Sequence, residues 1–82
     1  MTLLIVDDEW YAVKGISQGV DWAQAGISTV LEAFSAKEAM AIMDRQSVDV
    51  LLCDIDMPEN DGLTLSHWCT QRHPAVKIIF LT

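Results

Sequence analysis

The chain has 82 residues, of which 51% are hydrophobic, and this combination indicates one small folded domain and excludes a disordered segment. Twelve acidic and five basic side chains give a formal net charge of −7, and the sequence lacks the basic stripe that binding to a nucleic-acid backbone requires. The first apolar run is short and has no basic segment before it, so we expect no signal peptide, no membrane span and a cytoplasmic location.

The first half of the chain predicts two strands that alternate with two helices. Residues 3–6 form a short, continuous apolar run, which is typical of a strand buried on both faces. Apolar side chains at a spacing of three to four residues predict a helix over residues 10–20, followed by a connector with Gly26 as its turn. Residues 27–34 predict a second strand, and a capping box opens the helix predicted for residues 35–45.

The second half predicts two further strands with one helix between them. Residues 48–53 form the third apolar run, and residues 57–62 form a loop that contains Pro, Asn and Gly. We expect Asp61 to cap a helix that continues to Arg72. Residues 76–81 form the fourth predicted strand.

The alternation of strands and helices predicts an α/β fold with a doubly wound parallel sheet and right-handed crossovers. In the flavodoxin-like strand order, ligands bind beyond the carboxyl ends of strands 1 and 3. These are the two predicted strands that end in aspartate: Asp7 and Asp8 follow the first, and Asp54 follows the third. We therefore expect these three carboxylates to lie together at one edge of the sheet.

A cluster of three carboxylates points to phosphoryl-transfer chemistry. The negative charges repel one another, so at least one pKa should rise unless a cation neutralises them, and oxygen ligands with one open side suit Mg²⁺. Aspartyl phosphate is a known type of covalent intermediate, for which Asp54 is the candidate nucleophile. Thr82 ends the fourth strand, where its hydroxyl could bind a phosphoryl oxygen. The alternatives are that the acids only solvate the sheet edge and that Thr82 is an ordinary strand residue.

Three sequence motifs resemble those of the receiver domain of two-component response regulators. They are Leu-Ile-Val-Asp-Asp-Glu at residues 4–9, Asp-Ile-Asp-Met-Pro at residues 54–58 and Asp-Gly at residues 61–62. Their order and spacing match that family across the whole chain. Residues 20–27 are similar to a narrower subgroup, in which the receiver domain precedes an AraC-type DNA-binding domain.

The resemblance implies specific roles for the clustered residues. Asp54 would accept a phosphoryl group from the phosphohistidine of a sensor histidine kinase. Asp7, Asp8 and Asp54 would hold Mg²⁺ together with the backbone carbonyl of Asp56. Thr82 would contact the phosphoryl group and carry the conformational switch. The resemblance also implies a signalling module rather than an enzyme, with transcription regulation as the output and DNA reached only through a domain outside this chain.

The sequence departs from the family pattern after its fourth strand. Receiver domains have five strands and five helices, so residues 1–82 would be the N-terminal two-thirds of one, an incomplete (βα)3β unit without the fifth strand and the last two helices. The family's lysine has no counterpart, since Lys77 lies inside strand 4. We therefore expect a truncated piece of a longer regulator. An uncovered strand 4 would favour a homodimer, formed through that edge or by exchange of helices.

Two other functions stay open at this point. One is a receiver-like interaction domain that works without phosphorylation, which the missing lysine favours. The other is a haloacid-dehalogenase-like phosphohydrolase, with Asp54 as nucleophile and Asp56 as general acid. Against it, that motif usually lies on the first strand, continues with Gly or Thr, and gives no role to Asp7 and Asp8.

The remaining conspicuous side chains are predicted to be structural. Cys53 and Cys69 are expected to be reduced thiols that pack as small apolar residues. Trp10, Trp22 and Trp68 are expected to be packing residues, although Trp10 follows the acidic cluster and is the one that could border the site.

Overall fold

Four strands alternate with three helices along the chain. The computed structural model describes residues 1–81. Its strands are β1 (Thr2–Val6), β2 (Thr29–Ala33), β3 (Val50–Asp54) and β4 (Lys77–Leu81). Its helices are α1 (Trp10–Gly19), α2 (Ala36–Arg45) and α3 (Asp61–Arg72), with a 3-10 turn at Pro58–Asn60 before α3. Within these 81 residues, no helix is long and apolar enough to cross a membrane.

All four strands pair in parallel in one sheet with the order β2-β1-β3-β4. The register places Leu4 of β1 beside Leu31 on one side and Leu51 on the other. This is the flavodoxin-like order, and the predicted doubly wound α/β fold is confirmed. Because the strands are parallel, the carboxyl ends of β1 and β3 lie side by side at the same edge of the sheet.

The strand limits differ from the predicted ones by up to two residues. β2 begins at Thr29 because the residues before it close the connector, where the N–H of Ile27 donates to the carbonyl of Trp22 at 2.8 Å. Gly26 turns the chain there with a φ of 88°, a left-handed conformation that glycine adopts without strain. At the other end, β3 extends to include Asp54, so the aspartate is held in the sheet's hydrogen-bonding ladder.

Each face of the sheet carries its own hydrophobic core. Leu4 and Val6 belong to the cluster that α2 and α3 cover, whereas Leu3 and Ile5 belong to the cluster under α1. Successive residues of a strand point to opposite faces, which is why a strand covered on both sides reads as a continuous apolar run. Burial of each such Leu or Ile side chain contributes roughly 1.5–3 kcal/mol.

Only the middle of the apolar stripe predicted for residues 10–20 packs against the sheet. Val13 is completely buried, whereas Trp10 is 63% exposed and Val20 is 47% exposed. Trp22 and Trp68 pack against the two cores as predicted, but the prediction of a packing role for Trp10 is wrong. The reason is that Trp10 is the first residue of α1, directly after the acidic residues 7–9, and its side chain is exposed to solvent.

The two predicted helix caps have different outcomes. The hydroxyl of Ser35 accepts a hydrogen bond from the backbone N–H of Glu38 at 3.1 Å, as the capping box predicts. Asp61 is not a cap, since it is the first residue of α3, and Asn60 takes the cap position without a side-chain hydrogen bond. Glu59 and Asn60 both have left-handed backbone angles, with φ of 60° and 59°, so the chain enters α3 one residue earlier than predicted.

Candidate functional site

Three carboxylates meet at the carboxyl edge of the sheet. Asp7 and Asp8 follow β1, and Asp54 is the last residue of the neighbouring strand β3. One carboxylate oxygen from each residue lies within 4.8 Å of the other two. The sequence expectation that the strand order brings these side chains together is confirmed.

Asp7 is the buried member of the cluster, with only 8% of its surface exposed. Its N–H donates to the carbonyl of Ala33 at 3.3 Å, and its Oδ1 accepts from the N–H of Glu9 at 3.1 Å. Burial raises the pKa of the Asp7 carboxyl, the Glu9 N–H opposes this shift, and the charges of Asp54 and Asp8 raise the pKa further. The ionised form of Asp7 is therefore less favourable than that of a free carboxyl, and a cation beside it would offset this shift.

Asp54 is half-buried and is oriented by the loop that follows it. Its Oδ1 accepts a hydrogen bond from the backbone N–H of Asp56 at 3.0 Å. The next residue, Ile55, donates its N–H to the carbonyl of Leu81 at 3.4 Å, which fixes the strand end against β4. One carboxylate oxygen of Asp54 is thus held in place, while the other has no such bond among residues 1–81.

The roles predicted for Asp56 and Thr82 stay untested by this cluster. The side chain of Asp56 is exposed and is not one of the three clustered carboxylates. The role predicted for its backbone carbonyl as a metal ligand stays a prediction. Thr82, predicted to contact the phosphoryl group, lies outside the described residues.

The sequence reasoning missed Tyr11, which lies beside the acidic loop at the start of α1. A hydrogen bond to Glu9 raises the pKa of the Tyr11 hydroxyl, and the charges of Glu9, Asp7 and Asp8 act in the same direction. Tyr11 is 67% exposed, so solvent screens the effect of these charges on its hydroxyl. The only sequence clue was its position three residues after Asp8.

Cys53 is next to Asp54 in β3 but is not a reactive group. It is completely buried, and desolvation, followed by the charges of Asp54 and Asp7, raises the pKa of its thiol to about 11. A thiol with such a pKa is protonated at neutral pH and is a poor nucleophile. Cys53 and Cys69 are both free and buried, as predicted.

A cavity of about 460 Å³ lies at the opposite edge of the sheet from the acidic cluster. It is lined by residues 43–48, which lead from α2 into β3, and by residues 73–76, which lead from α3 into β4. None of the three clustered carboxylates lines it. The acidic site is therefore separate from this cavity, and Asp8 is its exposed member.

Comparison with known families gives a match over nearly the whole chain. The family model of the response regulator receiver domain matches residues 3–82. The sensor kinase CckA of Brucella abortus is 40% identical over 99% of this chain, which corresponds to 8% of that protein. The DNA-binding transcriptional regulator NtrC of Salmonella typhimurium is 35% identical over 95% of this chain and 16% of its own length.

Solved structures show the same fold. A two-component transcriptional regulator AraC from Clostridium phytofermentans has a TM-score of 0.91 at 29% identity, over 98% of this chain and 62% of that one. The receiver domain of AraT, a response regulator from Geobacillus stearothermophilus, has a TM-score of 0.87 at 37% identity, over 96% of this chain and 61% of that one. The likeness to the AraC regulator agrees with the AraC-type resemblance of residues 20–27.

The chain spans less than two thirds of each of these relatives. The matched part nevertheless contains both strand ends that carry the acidic cluster, as well as the loop that leads into α3. On the strength of the family match, the sheet order and the three carboxylates, the chain belongs to the response regulator receiver domains of two-component signalling.

Proposed function

We propose that Asp54 accepts a phosphoryl group from the phosphohistidine of a sensor histidine kinase. A carboxylate oxygen of Asp54 forms the new bond to phosphorus, the bond from phosphorus to the imidazole nitrogen breaks, and that nitrogen regains a proton. The products are an acyl phosphate on Asp54 and a neutral histidine. The observation that supports this proposal is the close approach of Asp54 to Asp7 and Asp8 at an open edge of the sheet.

Asp7, Asp8 and Asp54 would hold a Mg²⁺ ion, with the backbone carbonyl of Asp56 as a further ligand. The three clustered carboxylates, of which Asp7 is buried and has a raised pKa, form a donor set that a hard cation stabilises. When bound, Mg²⁺ stabilises the negative charge that develops on the phosphoryl oxygens. The protein's own contribution is to hold these carboxylates close to one another at the edge of the sheet before the donor arrives.

The backbone of the loop after β3 would orient the acceptor. The N–H of Asp56 holds Oδ1 of Asp54, which leaves the second oxygen for attack on phosphorus. We propose that the hydroxyl of Thr82 binds the transferred phosphoryl group and links it to the conformational change. Replacement of Thr82 by Ala should then weaken the switch more than it slows phosphoryl uptake.

The output of the phosphorylated state would be regulation of transcription. The AraC-type regulator from Clostridium phytofermentans and the transcriptional regulator NtrC support this assignment, since both are described as regulators of transcription. DNA would be reached through an output domain and not through the acidic surface of residues 1–82. The domain would take up one phosphoryl group and carry it as a signal, without turnover of a separate substrate.

The phosphohydrolase alternative is not retained, because the chain belongs to the receiver family. In the structure, Asp54 lies on β3 and its neighbours Asp7 and Asp8 complete the cluster, whereas the phosphohydrolase motif left those two residues without a role. The clustered carboxylates of Asp7, Asp8 and Asp54 favour a phosphorylated receiver over a receiver-like domain that works without phosphorylation.

The chemistry of the linkage tests this proposal. We expect phosphoramidate, a donor with a bond from phosphorus to nitrogen, to label the protein in the presence of Mg²⁺. Hydroxylamine should remove the label, because it cleaves acyl phosphates, and should leave a hydroxamate at residue 54 in peptide mapping. A label that resists hydroxylamine, or that maps to a serine or threonine, would contradict the role of Asp54.

A further inference from the structure

Gly62 packs directly against the backbone of the phosphoacceptor strand. It is the second residue of α3, and it is buried. The side of Gly62 on which a side chain would stand faces the carbonyl of Asp54 and the backbone of Ile55. The first turn of α3 therefore contacts the end of β3 main chain to main chain, without a side chain between them.

A side chain at this position has no room. An ideal Cβ built on Gly62 would lie 3.0 Å from the Cα of Ile55 and 3.2 Å from its carbonyl oxygen. It would lie closer still to the carbonyl oxygen of Asp54, at a separation that real Cβ atoms do not show. All three atoms belong to the backbone, so the contact cannot be relieved by rotating a flexible side chain.

The segment between Asp54 and Gly62 limits how far α3 could move away from the end of β3. Met57 is 5% exposed and belongs to the core that α2 and α3 cover. Glu59 and Asn60 both adopt left-handed backbone angles, which non-glycine residues rarely take. A loop that is anchored in the core and already strained cannot lengthen easily, so an added Cβ at residue 62 pushes mainly on the end of β3.

We propose that Gly62 is a positioning residue for phosphoryl transfer, because its missing side chain lets α3 fix the backbone of Asp54 at the distance from Asp7 and Asp8 that the reaction needs. This inference rests on the proposed function of Asp54 as acceptor. Gly62 has no side chain with which to bind a phosphoryl donor or a metal ion. It acts through the carbonyl of Asp54 and through Ile55, whose displacement carries the Asp54 carboxylate with it.

The test compares Gly62→Ala with Gly15→Ala. Both variants add one methyl group to a helix, but an ideal Cβ at Gly15 meets nothing within 4 Å. The measured quantities are the rate of phosphoryl uptake from acetyl phosphate per folded molecule, its dependence on Mg²⁺ concentration, and Mg²⁺ affinity by calorimetry without a phosphoryl donor. A displacement of about 1 Å at a reacting group can slow a reaction by on the order of 100-fold.

We expect Gly62→Ala to lower the uptake rate at least tenfold and to weaken Mg²⁺ binding, whereas Gly15→Ala leaves both unchanged. Addition of Glu59→Gly and Asn60→Gly to the Gly62→Ala variant should restore part of the rate, because a flexible loop lets α3 move away from β3. The folded fraction is taken from far-ultraviolet circular dichroism, with sucrose added if the variant is marginally stable.

Two other outcomes overturn the inference. Unchanged rate and Mg²⁺ affinity in a folded Gly62→Ala protein would show that Asp54 does not depend on this contact. A variant that does not fold even in sucrose, with or without the loop glycines, would assign Gly62 a role in stability alone. If the wild-type protein takes up no phosphoryl group, the proposed function fails, and the Mg²⁺ affinities of the two variants then decide the role of Gly62 separately.

Discussion

At the acidic edge of the sheet, the carboxyl group of Asp7 is buried, although it would have to be ionised to bind a metal ion. Burial raises the pKa of this carboxyl, and the neighbouring Asp54 and Asp8 add to the shift. The folded state therefore holds the Asp7 proton more strongly than the unfolded state does. The stability contributed by protonated Asp7 is fully present below the ordinary carboxyl pKa and is lost as pH rises through the raised pKa of the folded state.

Replacement of Asp7 by Asn should stabilise the metal-free protein at neutral pH, because it removes an ionised carboxyl from a buried position. We expect a higher midpoint in urea unfolding for Asp7→Asn and a smaller difference from the wild type when the pH is lowered. Addition of Mg²⁺ should stabilise the wild type and not the variant.

Asp21→Asn removes the same charge from an exposed connector and should leave the midpoint unchanged. A lower midpoint for metal-free Asp7→Asn than for the wild type would contradict this account of the site.

At the scale of single elements, the sequence predicts those features that depend on local patterns. The start of α2 is one of them, since a hydroxyl followed three residues later by a glutamate is enough to indicate a cap, and Ser35 caps as expected. The entry into α3 could not be predicted in the same way. Its left-handed residues are Glu59 and Asn60, and this conformation is unusual for Glu59. Both lie between the buried residues Met57 and Gly62, whose packing no short window of sequence reveals.

Loss of the cap on α2 provides a prediction at this scale. Ser35→Ala removes the acceptor for the N–H of Glu38 and should lower the free energy of unfolding by about 1 kcal/mol. Ser47→Ala, at an exposed serine between α2 and β3, should change it by much less. Urea unfolding followed by circular dichroism measures both, and equal effects of the two substitutions would show that the cap contributes nothing specific.

For the whole molecule, the strand order was the feature predicted from the sequence that gave the most information about function. Alternating strands and helices fix a parallel sheet, and the neighbouring positions of β1 and β3 then bring Asp7 and Asp54 together. The exposure of Trp10 and the position of Gly62 were not predictable, because both depend on where α1 and α3 lie relative to the sheet.

The edge strand β4 leads to a prediction about association of the polypeptide of residues 1–82. Among the described residues, β4 pairs only with β3, and Ile79 and Phe80 are 43% and 40% exposed. We expect this polypeptide to form dimers through β4, with a mass that rises with concentration in light scattering coupled to size exclusion. Ile79→Lys should suppress the dimer, because a charge on an edge strand opposes pairing. A wild-type monomer at high concentration would contradict the prediction.

The central claim is that Asp54 accepts a phosphoryl group at a site built with Asp7 and Asp8. Intact-mass spectrometry after incubation with acetyl phosphate and Mg²⁺ tests it most directly, with Asp54→Asn as the matched control. We predict the addition of one phosphoryl group to the wild type, and none in the control or after removal of the metal ion. An adduct of the same yield on Asp54→Asn, or no adduct on a folded wild-type protein that binds Mg²⁺, would contradict the account.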